Sequence, residues 1–285
     1  MNDFHDTLSR AADLLARADA LLIGAGAGMG VDSGLPDFRG TEGFWRAYPP
    51  LAKLGLRFEE MADPRWFAQD PEFAWGFYGH RLRLYRETAP HPGFAILRKW
   101  AGSMPLGAFV HTSNVDGHFQ RAGFSPEHVC EVHGSLNHLQ CLAPRPCGQA
   151  LWSAEGVEVS VDSDSLRAAP PLPACPACGD LARPNILMFG DFRWDSRRTS
   201  EQGERFRKWL AATRRHRLLV VELGAGNAIA TIRHACEEVA EEEGATLLRI
   251  NLRDGQVPAG SNALSLPLGA LEALEKLDAA LGRNP

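Results

Sequence analysis

The stretch from Leu21 to Gly40, LLIGAGAGMGVDSGLPDFRG, restricts the fold more than any other part of the chain. Leu21, Leu22 and Ile23 form an apolar run suited to a buried strand, preceded by a helical pattern that ends near Ala18. Gly24, Gly26, Gly28 and Gly30 then follow at alternate positions. A strand that empties into residues without side chains lets something approach its backbone closely. In parallel α/β sheets that something is usually a nucleotide pyrophosphate, held by backbone N–H groups at a helix N-terminus. The dinucleotide fingerprint G-x-G-x-x-G is not met in any frame, because its last position falls on Met29, Val31 or Ser33. Taken alone, the segment also reads as a flexible βα turn.

The rest of the chain makes the parallel sheet the better reading. Asp6 to Arg17 carries Leu8, Ala11, Ala12, Leu15 and Ala16 at helical spacing. Gly107 to Thr112 reads as a strand running into Ser113-Asn114-Val115-Asp116-Gly117, and Glu127 to Val132 as a short strand ending in His133-Gly134. Arg183 to Asp191 returns to an apolar pattern, and a helix is expected around Glu201 to Ala212. Arg217 to Leu223 is a strand ending in a second glycine turn, Gly224-Ala225-Gly226, with a helix from Asn227 to about Glu242. Thr246 to Asn251 is another strand, and Leu268 to Leu281 a closing helix. Strands alternating with helices imply an α/β fold with a Rossmann-like, doubly wound parallel sheet.

Two segments interrupt that alternation. Residues 44–87 are rich in aromatics (Phe44, Trp45, Tyr48, Trp66, Phe67, Phe73, Trp75, Phe77, Tyr78) and divided by prolines, which predicts short helices and a longer one from Pro71 to Glu87. Most of these rings read as core. Residues 137–183 carry four cysteines, many prolines and little periodicity, as expected of a loop-rich module that needs a staple. The expected organisation is therefore a sheet domain from 1–43, 88–136 and 184–285, with 44–87 and 137–183 forming a smaller domain.

The cysteines carry a direct chemical signal. Cys175-Pro-Ala-Cys178 is a C-x2-C knuckle, and Cys141 with Cys147 forms a looser C-x5-C pair. Four thiolates make a closed tetrahedral zinc site, which is structural because no coordination position stays open. A redox pair is the alternative reading. Cys130 and Cys236 lie in apolar patterns and read as buried thiols. With 285 residues, 45% hydrophobic and 23% charged, and a formal charge of −5, the composition is that of an ordinary globular protein. It favours neither nucleic acid nor anionic membranes as partners. No secretory signal or membrane span is read, so the expected compartment is the cytoplasm and the thiols are expected reduced.

Two further groups stand out on physical grounds. His133 ends a strand beside a glycine, where an imidazole can act as general base near neutral pH. Tyr78 and Arg81 lie at i, i+3 on the expected helix and share a face, and an arginine fork beside a phenol binds a carboxylate. A surface arginine beside a packed tyrosine is the simpler alternative.

Taken in order, these residues resemble the sirtuin family over nearly the whole chain. The matching motifs are Gly26-Ala27-Gly28, the run Ser33 to Gly40, Asn114 with Asp116-Gly117, His133-Gly134, the four cysteines, Arg183-Pro184 and Phe189-Gly190. The resemblance implies NAD-dependent removal of acyl groups from protein lysines, with NAD consumed and structural zinc held by Cys141, Cys147, Cys175 and Cys178. It implies Gly26, Ala27, Gly28, Asp37, Phe38, Arg39, Ser113, Asn114, Asp116, Gly224, Gly226 and Asn251 around NAD. His133, Asn114 and Asp116 are then the catalytic group, and Tyr78, Arg81 and Phe189 face the acyl-lysine substrate. Tyr78-Gly-His-Arg81 resembles the Y-x-x-R pair of sirtuins that prefer malonyl or succinyl lysine. Gly30, Ser113 and Ala225-Gly226 depart from the serine, glutamine and Thr-Ser that the family usually carries, which removes side chains expected around NAD. An ADP-ribosyltransferase or NAD glycohydrolase on the same fold, and a non-catalytic NAD-sensing module, are the alternative functions.

Overall fold

The computed structural model describes residues 2–36, 41–143, 145 and 147–282. In chain order its strands are β1 (Ala20–Ala25), β2 (Ala108–Thr112), β3 (Val129–Glu131), β4 (Gly134–Cys141), β5 (Trp152–Ser153), β6 (Val161–Asp162), β7 (Arg167–Ala168), β8 (Ala182–Ile186), β9 (Leu218–Leu223), β10 (Thr246–Ile250) and β11 (Ala263–Leu266). Six of them form one sheet in the order β11-β10-β9-β1-β2-β3, parallel at every pairing. The apolar runs of β1 and β9 are continuous because both faces of these central strands are covered, and every residue in them is buried.

The two faces have separate cores. Leu21 and Ile23 point toward Phe94, Leu97 and Trp100 of the helix Pro92–Ser103 and toward Leu274 and Leu277 of the helix Ala270–Leu281. Ala20 and Leu22 point the other way, toward Ile232, Cys236 and Val239 of the helix Thr231–Glu242. Chain order reverses between β1 and β9, the place at the C-terminal ends of a parallel sheet where a crevice is expected. Cys130 and Cys236 are both buried, and burial raises both thiols, Cys130 to about 11.

A third core gathers the aromatic helices and the cysteine-rich segment together. It contains Phe44, Tyr48, Phe67, Trp75 and Phe77 with Leu139, Leu166, Ala182 and Ile186. The helix Pro71–Glu87 matches its expected bounds. Proline opens it, and the Asp70 carboxylate accepts a hydrogen bond from Phe73 N at 3.2 Å. Trp75 Nε1 donates to Ala182 O at 2.9 Å, fastening the helix to β8. Gly76 lets the β6–β7 ribbon lie against it, since a Cβ there would stand 1.9 Å from Leu166 O.

Three expectations change. Arg183 to Asp191 does not rejoin the parallel sheet: β8 pairs antiparallel with β4 in a three-stranded sheet ordered β5-β4-β8. The expected boundary at 184 therefore falls inside a strand of the smaller sheet, where Pro184 is tolerated because β8 is an edge. Gly134–Cys141 is itself a strand, and β11 adds a sixth, short edge strand to the large sheet. The helix after β9 starts at Thr231 and not at Asn227, so the second glycine turn is longer than the pattern suggested.

The crowding between the two glycine turns has a measurable consequence. A Cβ on Gly26 would lie 2.7 Å from Ala225 Cα and 2.8 Å from Gly224 O, whereas one on Gly102, in the helix Pro92–Ser103, would meet nothing within 4 Å. Gly26→Ala is expected to lower unfolding free energy by about 1–3 kcal/mol through overpacking against backbone. Gly102→Ala is expected to raise it by about 0.5–1 kcal/mol through helix propensity. Urea denaturation of both variants checks the pair.

Candidate active site

A cleft of about 560 Å³ opens where the turns after β1, β2, β3 and β9 meet the smaller sheet and its helices. After β1 the chain turns into the short helix Gly28–Val31, and Gly26, Ala27 and Gly30 face the cleft. Gly28 does not. Its N–H donates to Gly224 O at 3.0 Å, and Gly224, at φ +59°, is so close that a Cβ on it would lie 2.5 Å from Gly28 Cα. Part of the glycine pattern therefore serves the docking of one βα turn on another and leaves only the outer positions for a ligand.

The second turn presents Ala225, Gly226 and Asn227 to the cleft. Asn251 stands behind it, buried, donating through Nδ2 to Ala225 O at 2.8 Å and accepting at Oδ1 from the N–H groups of Arg253 and Asp254. Its place in the structure is that of a brace. Asp254, which the sequence reading did not single out, lines the rim and accepts from Asn227 Nδ2 at 2.9 Å. Its proximity to Asn251 in the chain was the available signal.

The end of β2 is fixed by its own backbone. Thr112 Oγ1 donates to Ala25 O at 2.8 Å and accepts from Asn114 N at 3.0 Å, while Ser113 N donates to Ala25 O at 3.2 Å. Asp116 Oδ1 accepts from His118 N at 2.8 Å, after which Gly117 turns the chain at φ +74°. Ser113, Asn114 and Asp116 thus all reach the cleft from one loop. His133 enters from the end of β3, its carbonyl accepting from Leu187 N at 2.9 Å. Burial lowers its pKa below the ordinary 6.5, so the imidazole is neutral near pH 7 and able to take a proton.

The opposite wall comes from the helix Pro71–Glu87 and the loop after β8. Tyr78 and Arg81 line the cleft, buried, and the Tyr78 hydroxyl has no hydrogen-bond partner among the described residues. Tyr78 stacks on Phe67 at 5.6 Å, and burial raises its pKa, so the phenol stays protonated. Arg81 donates to the Tyr85 hydroxyl through Nε and Nη2. Tyr85 also lines the cleft and was not singled out, although it continues the same helix face. Phe189 stands at the mouth, 41% exposed, with its N–H donating to Ala62 O at 2.9 Å. The fully buried pair Arg183–Asp191, at 2.7 Å, anchors that loop. Asp37, Phe38 and Arg39 lie outside the described residues.

The cysteines form a separate site. The four Sγ atoms of Cys141, Cys147, Cys175 and Cys178 lie within 4.8 Å of one another, with Cys141–Cys178 at 3.6 Å and Cys147–Cys175 at 3.7 Å. Tetrahedral zinc at a Zn–S distance of about 2.3 Å requires S–S edges of about 3.8 Å, so the donor set fits the metal. One zinc per chain is expected by elemental analysis. Cys175→Ser is expected to lose it and to lower the melting temperature, because the thiolate–zinc bonds tie together chain segments that are otherwise joined by loops.

A model of the Sir2 family matches residues 26–206. A protein of Thermococcus kodakarensis named NAD-dependent protein deacylase is 34% identical over 184 residues, 65% of each chain. NAD-dependent protein deacylase 2 of Pyrobaculum aerophilum is 37% identical over 63% of this chain and 62% of its own. The chain thus spans just under two thirds of the length of these relatives. A deacylase of Aeropyrum pernix aligns over 95% of this chain and 96% of its own at 28% identity. Among solved structures, a mutant Sir2 homologue in complex with ADP-ribose superposes with a TM-score of 0.69 at 25% identity, covering 96% of both chains. The motif order, the fold and the matched stretch from the first glycine turn to the helix after β8 all agree: the chain belongs to the Sir2 family.

Proposed function

We propose that this chain removes acyl groups from protein lysine side chains with consumption of NAD, and that malonyl- or succinyl-lysine is its preferred substrate class. The observation that carries the reading is the meeting, in one cleft, of a neutral imidazole, a polar loop and a guanidinium flanked by phenols. NAD, when bound, supplies a ribose carbon with nicotinamide as its leaving group. Gly26, Ala27 and Gly226 offer surfaces free of bulky side chains on which its phosphates and ribose can lie. Asn114 and Asp116, which reach the cleft from one loop, would hold the nicotinamide and ribose end. His133 accepts a proton from a ribose hydroxyl, for which its depressed pKa keeps it in the basic form.

The acyl preference rests on the far wall. A buried hydroxyl without a partner is unfavourable until a ligand satisfies it, and among the described residues the Tyr78 phenol is such a group. A carboxylate at the end of the acyl chain satisfies it and also meets the Arg81 charge, whereas an acetyl methyl does neither. Ser113, Ala225 and Gly226 bring short side chains or none to the NAD side of the cleft, leaving more of the contact to backbone groups. No helix among the described residues is long and apolar enough to cross a membrane.

Mass spectrometry of one peptide carrying succinyl, acetyl or no acyl group tests this. Nicotinamide release that depends on the acylated peptide, with succinyl well above acetyl, is the expected result. Release that ignores the peptide would instead favour the transferase or glycohydrolase. His133→Ala is expected to slow deacylation by roughly 10²–10⁴-fold. For the unaltered protein, kcat/KM is expected to fall only as pH drops below 6.5, because protonation removes the base and burial resists protonation. A midpoint above 6.5 would rule out His133 as that base.

A further inference from the structure

We infer that His91 is a positioning residue for the cofactor: it latches the turn after β1 to the helix Pro92–Ser103, and so holds Leu35 and Pro36 in place as part of the wall against which NAD lies. The inference rests on the NAD reading above. Beyond Gly30 the chain doubles back, with Ser33 N and Leu35 N both donating to Gly30 O, at 3.1 and 3.2 Å. Gly34 stands within that reversal at φ +89°, and Leu35 and Pro36 then line the cleft beside Gly26, Ala27 and Gly30. The outer side of the turn is bare. Val31, Asp32 and Gly34 are exposed, and a Cβ on Gly34 would meet nothing within 4 Å. The turn is therefore fixed at points, and not by burial of its outer side.

Those points converge on two helix N-termini. Asp32 Oδ2 accepts from Leu271 N at 2.8 Å, at the start of the helix Ala270–Leu281. His91 supplies the others. Its backbone N–H donates to Ser33 Oγ at 3.0 Å, and its ring meets Met29 O through Nε2 and Gly93 N through Nδ1, each at 3.0 Å. A carbonyl accepts and an amide N–H donates, so the two ring contacts require the hydrogen on Nε2 and the lone pair on Nδ1. One neutral imidazole thus caps its own helix with one nitrogen and grips the cofactor turn with the other. Burial lowers the His91 pKa below the ordinary 6.5, against the opposing pull of Met29 O, Asp32 and Glu275, so the ring is neutral near pH 7. Its seat is tight: the Phe94 ring lies 4.8 Å away, and a Cβ on Gly93 would stand 2.6 Å from His91 Cε1. A turn held in this way meets NAD preformed, whereas a loose one would have to be ordered by the ligand itself.

The two ring nitrogens can be separated by substitution. In His91→Asn the amide oxygen stands near the place of Nδ1 and keeps the cap, while nothing reaches Met29 O. In His91→Gln the amide nitrogen stands near the place of Nε2 and keeps the grip, while the cap is lost. Isothermal titration calorimetry of the full chain with NAD, and separately with an acylated peptide, is paired with melting temperatures. His91→Asn is expected to weaken NAD binding about tenfold, the loss of one buried hydrogen bond, and to leave peptide affinity unchanged. His91→Gln is expected to hold NAD affinity and to show the larger fall in melting temperature. Ser33→Ala, which spares the ring and the helix, is expected to weaken NAD binding about threefold. If the unaltered chain does not bind NAD, the NAD reading falls and this inference with it. If NAD is bound but its affinity follows melting temperature across the variants, is lowered as much by His91→Gln as by His91→Asn, or is untouched by both His91→Asn and Ser33→Ala, only the role of His91 is overturned.

Discussion

The docking of the turn after β1 onto the turn after β9 is the contact on which the site depends. Gly28 N donates to Gly224 O, Gly26 N donates to Leu223 O, and the two backbones approach more closely than any Cβ allows. This contact sets where the crevice at the reversal of strand order begins. It also explains why glycines occur on both sides of it. From above, His91 braces the first turn: its backbone N–H donates to Ser33 Oγ, and its ring joins Met29 O to the start of the next helix at Gly93 N.

Beneath the second turn lies a buried ionic network. Glu222, level with Gly24 in the sheet register, accepts two hydrogen bonds at 2.7 Å from Arg249, which also reaches Glu237 and Gln256 O. Arg233 donates to Asp254 O and Gln256 O. The loop that carries Asp254 is thereby held against the cleft by charge-assisted bonds to its own backbone. Such a network is costly to desolvate, and its members are satisfied on several sides, which makes it a rigid support.

The second lobe reaches the same cleft by different physics. Its aromatic core orders the helix Pro71–Glu87, and three polar side chains along one face of that helix project into the cleft. The four cysteines gather at the far end of β4 and β8, so the metal fit concerns the lobe's integrity and not the chemistry of the cleft.

Local periodicity made much of this legible. The apolar runs of β1, β9 and β10, the bounds of the helix Pro71–Glu87 and the shared face of Tyr78 and Arg81 all follow from spacings of a few residues, which act before any long-range contact forms. The cysteine spacing likewise indicated a four-thiolate site, and the positions of Asn114, Asp116 and His133 at strand ends pointed to the crevice. Other features depend on what lies opposite. Whether β8 joins the large or the small sheet is decided by pairing with β4. That Gly28 packs against Gly224 follows from the order of strands, and Asn251 becomes a brace only because Ala225 O stands within its reach. Tyr85 carries no sequence signal of its own, and only the fold turns its oxygen toward Arg81. The amino-acid sequence by itself determined which elements form and which chemistry they carry, because those depend on neighbours along the chain. The tertiary structure alone decided which of those groups face the cleft and which face one another, because that depends on close approach between segments far apart in sequence.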